Sequence, residues 1–266
     1  MSALSTTPRP LVSHAKLVEQ LRLENPARSP RTIESLIAYA VKSGRLLRVR
    51  RGLFACVPAG SDAANYPVDP FLVASQATED AVLAYHTALE FFGRAYSTFE
   101  RFDFVTAKKV RPFQFRSFEF RGVPIPKALV NKNAAWFGVK EAPRSGQVVR
   151  VTTLERAMVD VLDRPDLAGG WEEVWRSLEM VEYFDLDMVL KYASLLNSAT
   201  VAAKVGFFLE QHRNALMVEE AHLKELVSRR PKEPHYMQPS SRGGKLFSRW
   251  NLIVPEAVVG RTWEEQ

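Results

Sequence analysis

The chain has 266 residues, 46% of them hydrophobic, a formal net charge of +6 and one cysteine, which is apolar material enough for one large domain or for a small and a medium one. A lone cysteine, Cys56, excludes an internal disulfide and points to a reducing compartment. The opening MSALSTTPRPLV lacks the apolar core of a signal peptide and no later run approaches a membrane span, so a cytoplasmic protein away from the membrane is expected.

The charge is unevenly placed. Residues 1–60 carry 10 Lys/Arg against 3 Asp/Glu, a net +7, and the rest carry 26 against 27, a net −1. Basicity gathered into one short segment is the footprint of a surface for a polyanion. Residues 1–10 read as a loose arm in which Arg9 could touch nucleic acid. Ser13 can cap a helix through residue 23, with Leu17, Val18 and Leu21 on one face, and Asn25-Pro26-Ala27-Arg28 makes the turn after it. Ser29 and Pro30 then start a second helix, a side-chain cap followed by a ring that needs no amide partner. Ile33, Leu36, Ile37, Ala40 and Val41 share one face of it, and Gly44 ends it. Arg31, Thr32, Ser35, Tyr39 and Lys42 lie on the opposite face. Beyond the helix, Leu47 and Val49 alternate with Arg48 and Arg50, the period of a strand with one wet face. Arg51-Gly52 turns the chain, and residues 53–57 return as a second strand.

A helix running straight into a basic two-stranded ribbon reads as the recognition helix and wing of a winged helix-turn-helix. The candidate DNA-binding residues are then Arg28, Arg31, Thr32, Ser35, Tyr39, Lys42, Arg45, Arg48, Arg50 and Arg51. Those on the helix would meet base edges and phosphates, and the ribbon arginines the flanking backbone or the minor groove. The plainer alternative is a solvated helix and hairpin; the concentration of charge favours the DNA reading.

Residues 58–70, PAGSDAANYPVDP, change the composition and mark a boundary between a DNA-binding domain over 1–60 and a second domain over 61–266. Asp69 caps a short helix ending near Ala77, and LAYHTALEFF over 83–92 reads as another. Between 101 and 123 the period changes: Phe102/Phe104, Phe113/Phe115 and Phe118/Phe120 alternate with polar residues, as in strands, with a bulge or short loop where the parity slips after Phe115. Residues 101–150 hold 11 basic and 3 acidic residues, consistent with a nucleic-acid surface or with a half-buried sheet. Residues 148–152 form a strand leading into Thr152-Thr-Leu-Glu155, a capping box that opens a helix through residue 162. Helices follow over 171–181, 186–196, 199–211 and 219–229, then a loop at Arg242-Gly-Gly-Lys245 and a last apolar strand. The fold class expected is α+β: an N-terminal winged helix-turn-helix followed by a larger mixed α+β domain ending in a helical region.

Reactive groups do not converge. Asp160 and Asp163, one turn apart, are more economically read as an Arg156 partner and a helix end than as a metal site. The five histidines, His14, His86, His212, His222 and His235, lack zinc-site spacing, and there is no glycine-rich phosphate loop. No Asp or Glu is followed two positions later by Lys, as a restriction-type nuclease core requires, and Asp185/Asp187 lack the Gly-Ser partner of a nucleotidyltransferase. No catalytic residue, cofactor or metal is expected.

The segments GRLLRVRRGLFACVP, LAYHTALEFFG, VTTLERAMVDVLDRPDLAGGWEEV and LFSRWNLIVP, in this order and spacing, resemble the AbiEi family of antitoxin transcription factors of type IV toxin–antitoxin systems. The resemblance spans nearly the whole chain. It implies an N-terminal winged helix that binds inverted repeats in its own promoter and represses it. It also implies a C-terminal domain that neutralises a nucleotidyltransferase toxin encoded beside it. The wing would carry over to Arg48, Arg50, Arg51 and Gly52, and the recognition helix to Arg31, Thr32 and Ser35. The alternatives are a stand-alone regulator whose second domain binds a ligand or partner, and a nucleic-acid-processing enzyme.

Overall fold

Each of the first two helices begins where a side chain can satisfy an otherwise orphaned amide. Ser13 ends strand β1 (Leu11–Ser13) and its hydroxyl accepts from the Lys16 amide, opening α1 (His14–Glu24). Ser29 does the same for α2 (Pro30–Lys42), accepting from the Thr32 amide at 3.2 Å, with Pro30 in the first turn. Strands β2 (Leu46–Arg50) and β3 (Leu53–Cys56) follow, joined by a turn at Arg51-Gly52 in which Gly52 has φ +81°. The three strands form an antiparallel sheet of order β1-β3-β2, with Leu11 opposite Ala55 and Leu46 opposite Cys56. Val12, Leu17, Leu21, Ile33, Ile37, Ala40, Leu46 and Phe54 close a core drawn wholly from these five elements. The structure, a computed structural model, describes residues 10–238 and 243–263; the arm with Arg9, and Arg242 of the later loop, lie outside them.

The simple alternation expected in β2 is not what forms. Its register with β3 shifts between Arg48 and Arg50, so Val49 turns into the core with Leu46 while Leu47 stays half-buried. A β-bulge places two residues opposite one and re-aims the side chains on that strand.

By compactness the chain divides into two units, 1–83 with 100–123 and 141–150, and 84–99 with 124–140 and 151–266. The first unit adds α3 (Pro70–Ser75), capped by Asp69 as expected, and strands β4 (Val82–Leu83), β5 (Arg101–Thr106), β6 (Phe113–Phe115) and β7 (Phe118–Pro124). With β8 (Val139–Arg144) and β9 (Gln147–Thr152) these make a six-stranded sheet of order β6-β7-β5-β4-β9-β8. The parity slip after Phe115 is a tight hairpin turn: Phe115 sits opposite Phe118, and Arg116 takes φ +56°. Phe102, Phe104 and Phe120 are buried, and Phe120 stacks on Phe113 at 4.9 Å, so these rings line a core and are not offered to bases.

The second unit is mainly helical: α4 (His86–Phe91), α5 (Lys127–Asn131), α6 (Leu154–Asp163), α7 (Trp171–Glu179), α8 (Leu186–Leu196), α9 (Ala199–Gln211) and α10 (Glu220–Arg229). A small sheet of β10 (His235–Tyr236), β11 (Lys245–Phe247) and β12 (Leu252–Val254), then α11 (Glu256–Val259), complete it. The protein is therefore α+β, with eleven α-helices and three sheets among the described residues. Several boundaries differ from the sequence pattern: α3 ends at Ser75 and α7 at Glu179, each two residues early, and two further differences have an evident cause. Val82 and Leu83 pair with Val105 and Phe104 as a strand, and Tyr85, at φ +56°, delays the next helix to His86. The cap of α6 is Thr153, one residue later than the capping box placed it, and Glu155 accepts from the Asp185 amide instead.

Helix α9 packs so closely on the buried Trp250 that a Cβ at Gly206 would overlap the indole ring. Gly206→Ala is expected to destabilise the fold by about 1–3 kcal/mol, the usual cost of overpacking. A denaturant midpoint equal to the parent's would show that the ring moves aside freely.

Candidate nucleic-acid interface

The outward face of α2 carries Arg31, Thr32, Ser35, Tyr39 and Lys42, all exposed, because Ile33, Ile37 and Ala40 hold the opposite side of the helix in the core. Their engagements differ. The Thr32 hydroxyl lies 2.9 Å from that of Ser29 and belongs to the helix cap. Tyr39 lies beneath the Arg45 guanidinium, 5.3 Å from ring centroid to carbon, and Arg45 also donates to the Ser43 hydroxyl. Arg31, Ser35 and Lys42 make no side-chain hydrogen bond or ion pair among the described residues.

The arginines outside the helix also separate. Arg48 and Arg51 are exposed, Arg48 lying over the Phe54 ring at 5.8 Å and Arg51 in the turn between the strands. Arg28 is committed to the protein: its guanidinium donates to the Leu21 carbonyl at 2.8 Å and to Glu24 at 2.7 Å, closing the end of α1. Arg50 is committed too. It donates to the Ala77 carbonyl at 3.4 Å and lies 4.4 Å over the Phe113 ring, and burial lowers its pKa. The bulge in β2 turns it toward the six-stranded sheet, so Arg48 and Arg50 do not share the wet face that their spacing suggested.

An open concavity of about 610 Å³ lies between α2 and the β2–β3 turn. Arg48, Arg51, Phe54 and Ala38 line it, and so do two residues the sequence pattern passed over, His14 and Glu34. The imidazole Nε2 of His14 is 2.8 Å from the Glu34 carboxylate. Exposed Glu34 and Ala38 sit one turn apart beside the polar face, so helical spacing could have found both; nothing local ties His14 to Glu34, twenty residues on.

Titratable groups in the second unit are mutually engaged in its interior. The buried Asp160 carboxylate accepts from the Tyr192 hydroxyl at 2.6 Å and from Arg156 at 3.4 Å, and Arg156 also donates to the Ala135 and Phe137 carbonyls. Burial raises the Asp160 pKa to about 6 against the pull of those two partners. Lys204 donates to the Asp163 carbonyl, and burial lowers its pKa. His86, whose ring stacks on Phe99 at 3.8 Å, lies 3.1 Å from Glu173, which also accepts from the Ser97 amide and the Ser177 hydroxyl. Among the described residues no three His, Cys, Asp or Glu side chains are grouped to hold a metal, and no helix is long and apolar enough to cross a membrane. Neither a scan of protein-family profiles nor a search of curated proteins returns a match to the chain.

Two predictions follow from these contacts. Arg50→Ala is expected to lower stability by about 1–2 kcal/mol through loss of the ring contact and the carbonyl bond. Arg51→Ala, at an exposed turn, should stay within about 0.5 kcal/mol of the parent in the same denaturant titration. In the second unit, burial alone would raise Glu173, but the bonds from His86, Ser97 and Ser177 outweigh it and hold the carboxyl at about 2. A depressed folded-state pKa contributes stability above the unfolded value, about 4.3, and that contribution is lost as pH falls toward 2. Glu173→Gln should therefore flatten the stability–pH slope in that window by up to about 1.4 kcal/mol per pH unit, one proton's worth. A slope unchanged by the substitution would mean these bonds do not favour the ionised form.

Proposed function

We propose that the protein is a sequence-specific DNA-binding transcriptional repressor whose first elements act as a winged helix-turn-helix, with α2 as recognition helix and the β2–β3 ribbon as wing. The observation that carries this reading is the juxtaposition of two exposed cationic groups. Arg31 and Lys42, with Ser35 between them, stand unengaged on α2, and Arg48 and Arg51 flank the concavity beside the helix. The strand–helix–helix–strand–strand order and the β1-β3-β2 sheet support this reading. The major groove is about 12 Å wide and admits one α-helix, whose exposed side chains supply discrimination; ribbon cations on the phosphates supply affinity.

The resemblance of the wing, the α4 region, the α6 region and the closing strand to AbiEi antitoxins extends the proposal. The chain is the autoregulating antitoxin of a type IV system, repressing its own promoter in the cytoplasm and protecting the cell from a nucleotidyltransferase toxin encoded nearby. In this reading it uses no cofactor and catalyses no reaction. Residues 151–200, with 10 acidic and 4 basic residues, are unsuited to compete for DNA and fall to the antitoxin role.

Binding of the full chain to a duplex carrying its own upstream region, followed by mobility shift against an unrelated duplex of equal length, tests the first part. Arg31→Ala or Ser35→Ala should reduce the preference for the upstream duplex by about 1–3 kcal/mol for each base contact removed. Arg51→Ala should weaken both duplexes alike and lessen the salt slope by about one unit. Equal loss on both duplexes from the helix substitutions would move the reading face elsewhere. For the second part, Arg31→Ala/Lys42→Ala should abolish repression yet still protect cells expressing the neighbouring toxin; loss of protection in step with repression would refute the division of roles.

A further inference from the structure

One strongly basic surface remains outside this site. The connection between β5 and β6, residues 107–112, presents Lys108, Lys109 and Arg111 exposed, with no ion pair or side-chain hydrogen bond among the described residues. Both ends of this connection are fastened beside the wing. At its start, the Ala107 amide donates to the Asp80 carboxylate at 2.7 Å and the Thr106 hydroxyl to the same group at 2.6 Å. Asp80 lies three residues beyond Ala77, whose carbonyl takes the Arg50 guanidinium. At its end, the connection enters β6 at Phe113, the ring on which that guanidinium lies. Arg50 is the last residue of β2, immediately before the exposed Arg51 in the turn. Arg111 precedes Phe113 by two residues, roughly 7 Å of extended chain.

We propose that Lys108, Lys109 and Arg111 continue the wing as a second phosphate-contacting loop, so that the protein grips the backbone of double-stranded DNA beyond the groove read by α2. This rests on the DNA-binding reading above and deepens it. Three flexible or planar cations without partners among the described residues, on a segment held at both ends, suit contacts to a polyanion that carry no sequence information. Neutralising each phosphate releases condensed counterion and adds about 0.9 to the slope of log K against log salt. Of the acidic groups near the loop, the buried Asp103 is paired with Arg121 and Arg101, which leaves Asp80, held by Thr106 and Ala107, and the exposed Glu79 beside it as two carboxylates against three cations.

The test uses the full chain and two fluorescein-labelled 30-base-pair duplexes, one of the upstream region and one of unrelated sequence, with anisotropy titrations at several salt concentrations. Lys108→Ala/Lys109→Ala/Arg111→Ala should melt as the parent does, because all three side chains are exposed. Its salt slope should fall by about 2–3 units and its affinity in low salt by at least tenfold, with the upstream-over-unrelated preference unchanged. Lys108→Glu/Lys109→Glu should reduce affinity further. Arg51→Ala serves as the internal reference. If Arg51→Ala lowers the slope and the triple variant leaves it at the parent's value, the second loop is wrong and the winged-helix reading stands. If the parent does not bind duplex, or if it prefers the corresponding single strand, the underlying reading fails and this inference falls with it.

Discussion

The guanidinium of Arg50 sits where two parts of the first unit have to agree. It leaves β2 at a bulge, crosses to the Phe113 ring and reaches the Ala77 carbonyl. A charge in that half-buried place is tolerated because the ring face is electronegative and the carbonyl accepts. The bulge is the enabling feature. Regular pleating would have left Arg48 and Arg50 side by side in solvent and the ribbon free to move as a lever. With one extra residue in β2, Val49 enters the core and Arg50 turns to the six-stranded sheet. Neighbouring arginines of like chemistry thus do different work, one holding the ribbon in place and the next, Arg51, left free at its tip.

The same separation runs through the charges of the whole unit. Its segments hold 18 Lys/Arg against 11 Asp/Glu, and the second unit 18 against 19. Many of these groups are engaged with one another, and each ion pair removes an acid and a base together, so the excess is left to the cations without partners. Asp69 caps α3 and takes Arg144; Asp80 fixes the end of β5; Asp103 lies under Arg101 and Arg121; Glu24 takes Arg28; Glu34 meets His14. The carboxylates paired with arginine are offset by the partner's charge, whereas Asp80, held by a hydroxyl and an amide, keeps its own. Among the described residues of the unit, Lys16, Arg22, Arg48 and Arg111 join Arg31, Lys42, Arg51, Lys108 and Lys109 as exposed cations with no ion pair or side-chain hydrogen bond, and clustered like charge of that kind raises the encounter rate with a polyanion. Glu34 is the one acid that faces the same concavity as Arg48 and Arg51. Its carboxylate lies 2.8 Å from the His14 imidazole.

Local signals were legible in the sequence and distant ones were not. Ser13, Ser29 with Pro30, and Asp69 read as helix starts and each caps its helix, since a cap needs only residues within one turn; Asp185 and Ser198 do the same for α8 and α9. Helices α8 and α9 have the limits their apolar spacing suggested. Strand β1 escaped notice because three residues carry no period; it exists because Leu11 and Val12 find Ala55 and Phe54 across the sheet. Helix α5 and strand β8 fall in a stretch whose Pro, Asn and Gly residues mask any repeat, and α5 buries only Leu129. Of the candidate site, the polar face of α2 could be listed from helical geometry alone. What could not be foreseen is which cations are already occupied. The commitment of Arg50 depends on Phe113 and Ala77, and that of Arg28 on a carbonyl one helix earlier.

These contacts also bear on how the chain is partitioned. Residues 58–69 have the composition of a connection, and the five elements before them own a closed core. Yet compactness places both sides of that connection in one unit, and specific bonds span it. Gln147 donates to the Leu11 carbonyl at 2.8 Å, Arg116 to that of Ala64, and Arg50 stacks on Phe113. A composition boundary reports where the backbone lacks a core of its own, whereas a cooperative boundary requires few contacts to cross it. The first is met here and the second is not. The five N-terminal elements, with a core of their own, are also bonded to a sheet assembled from segments far along the chain. Within the first unit Arg50 ties β2 to β6 and Gln147 ties β1 to β9, and groups held in place by such contacts lose less freedom on binding a partner than groups that must first be ordered.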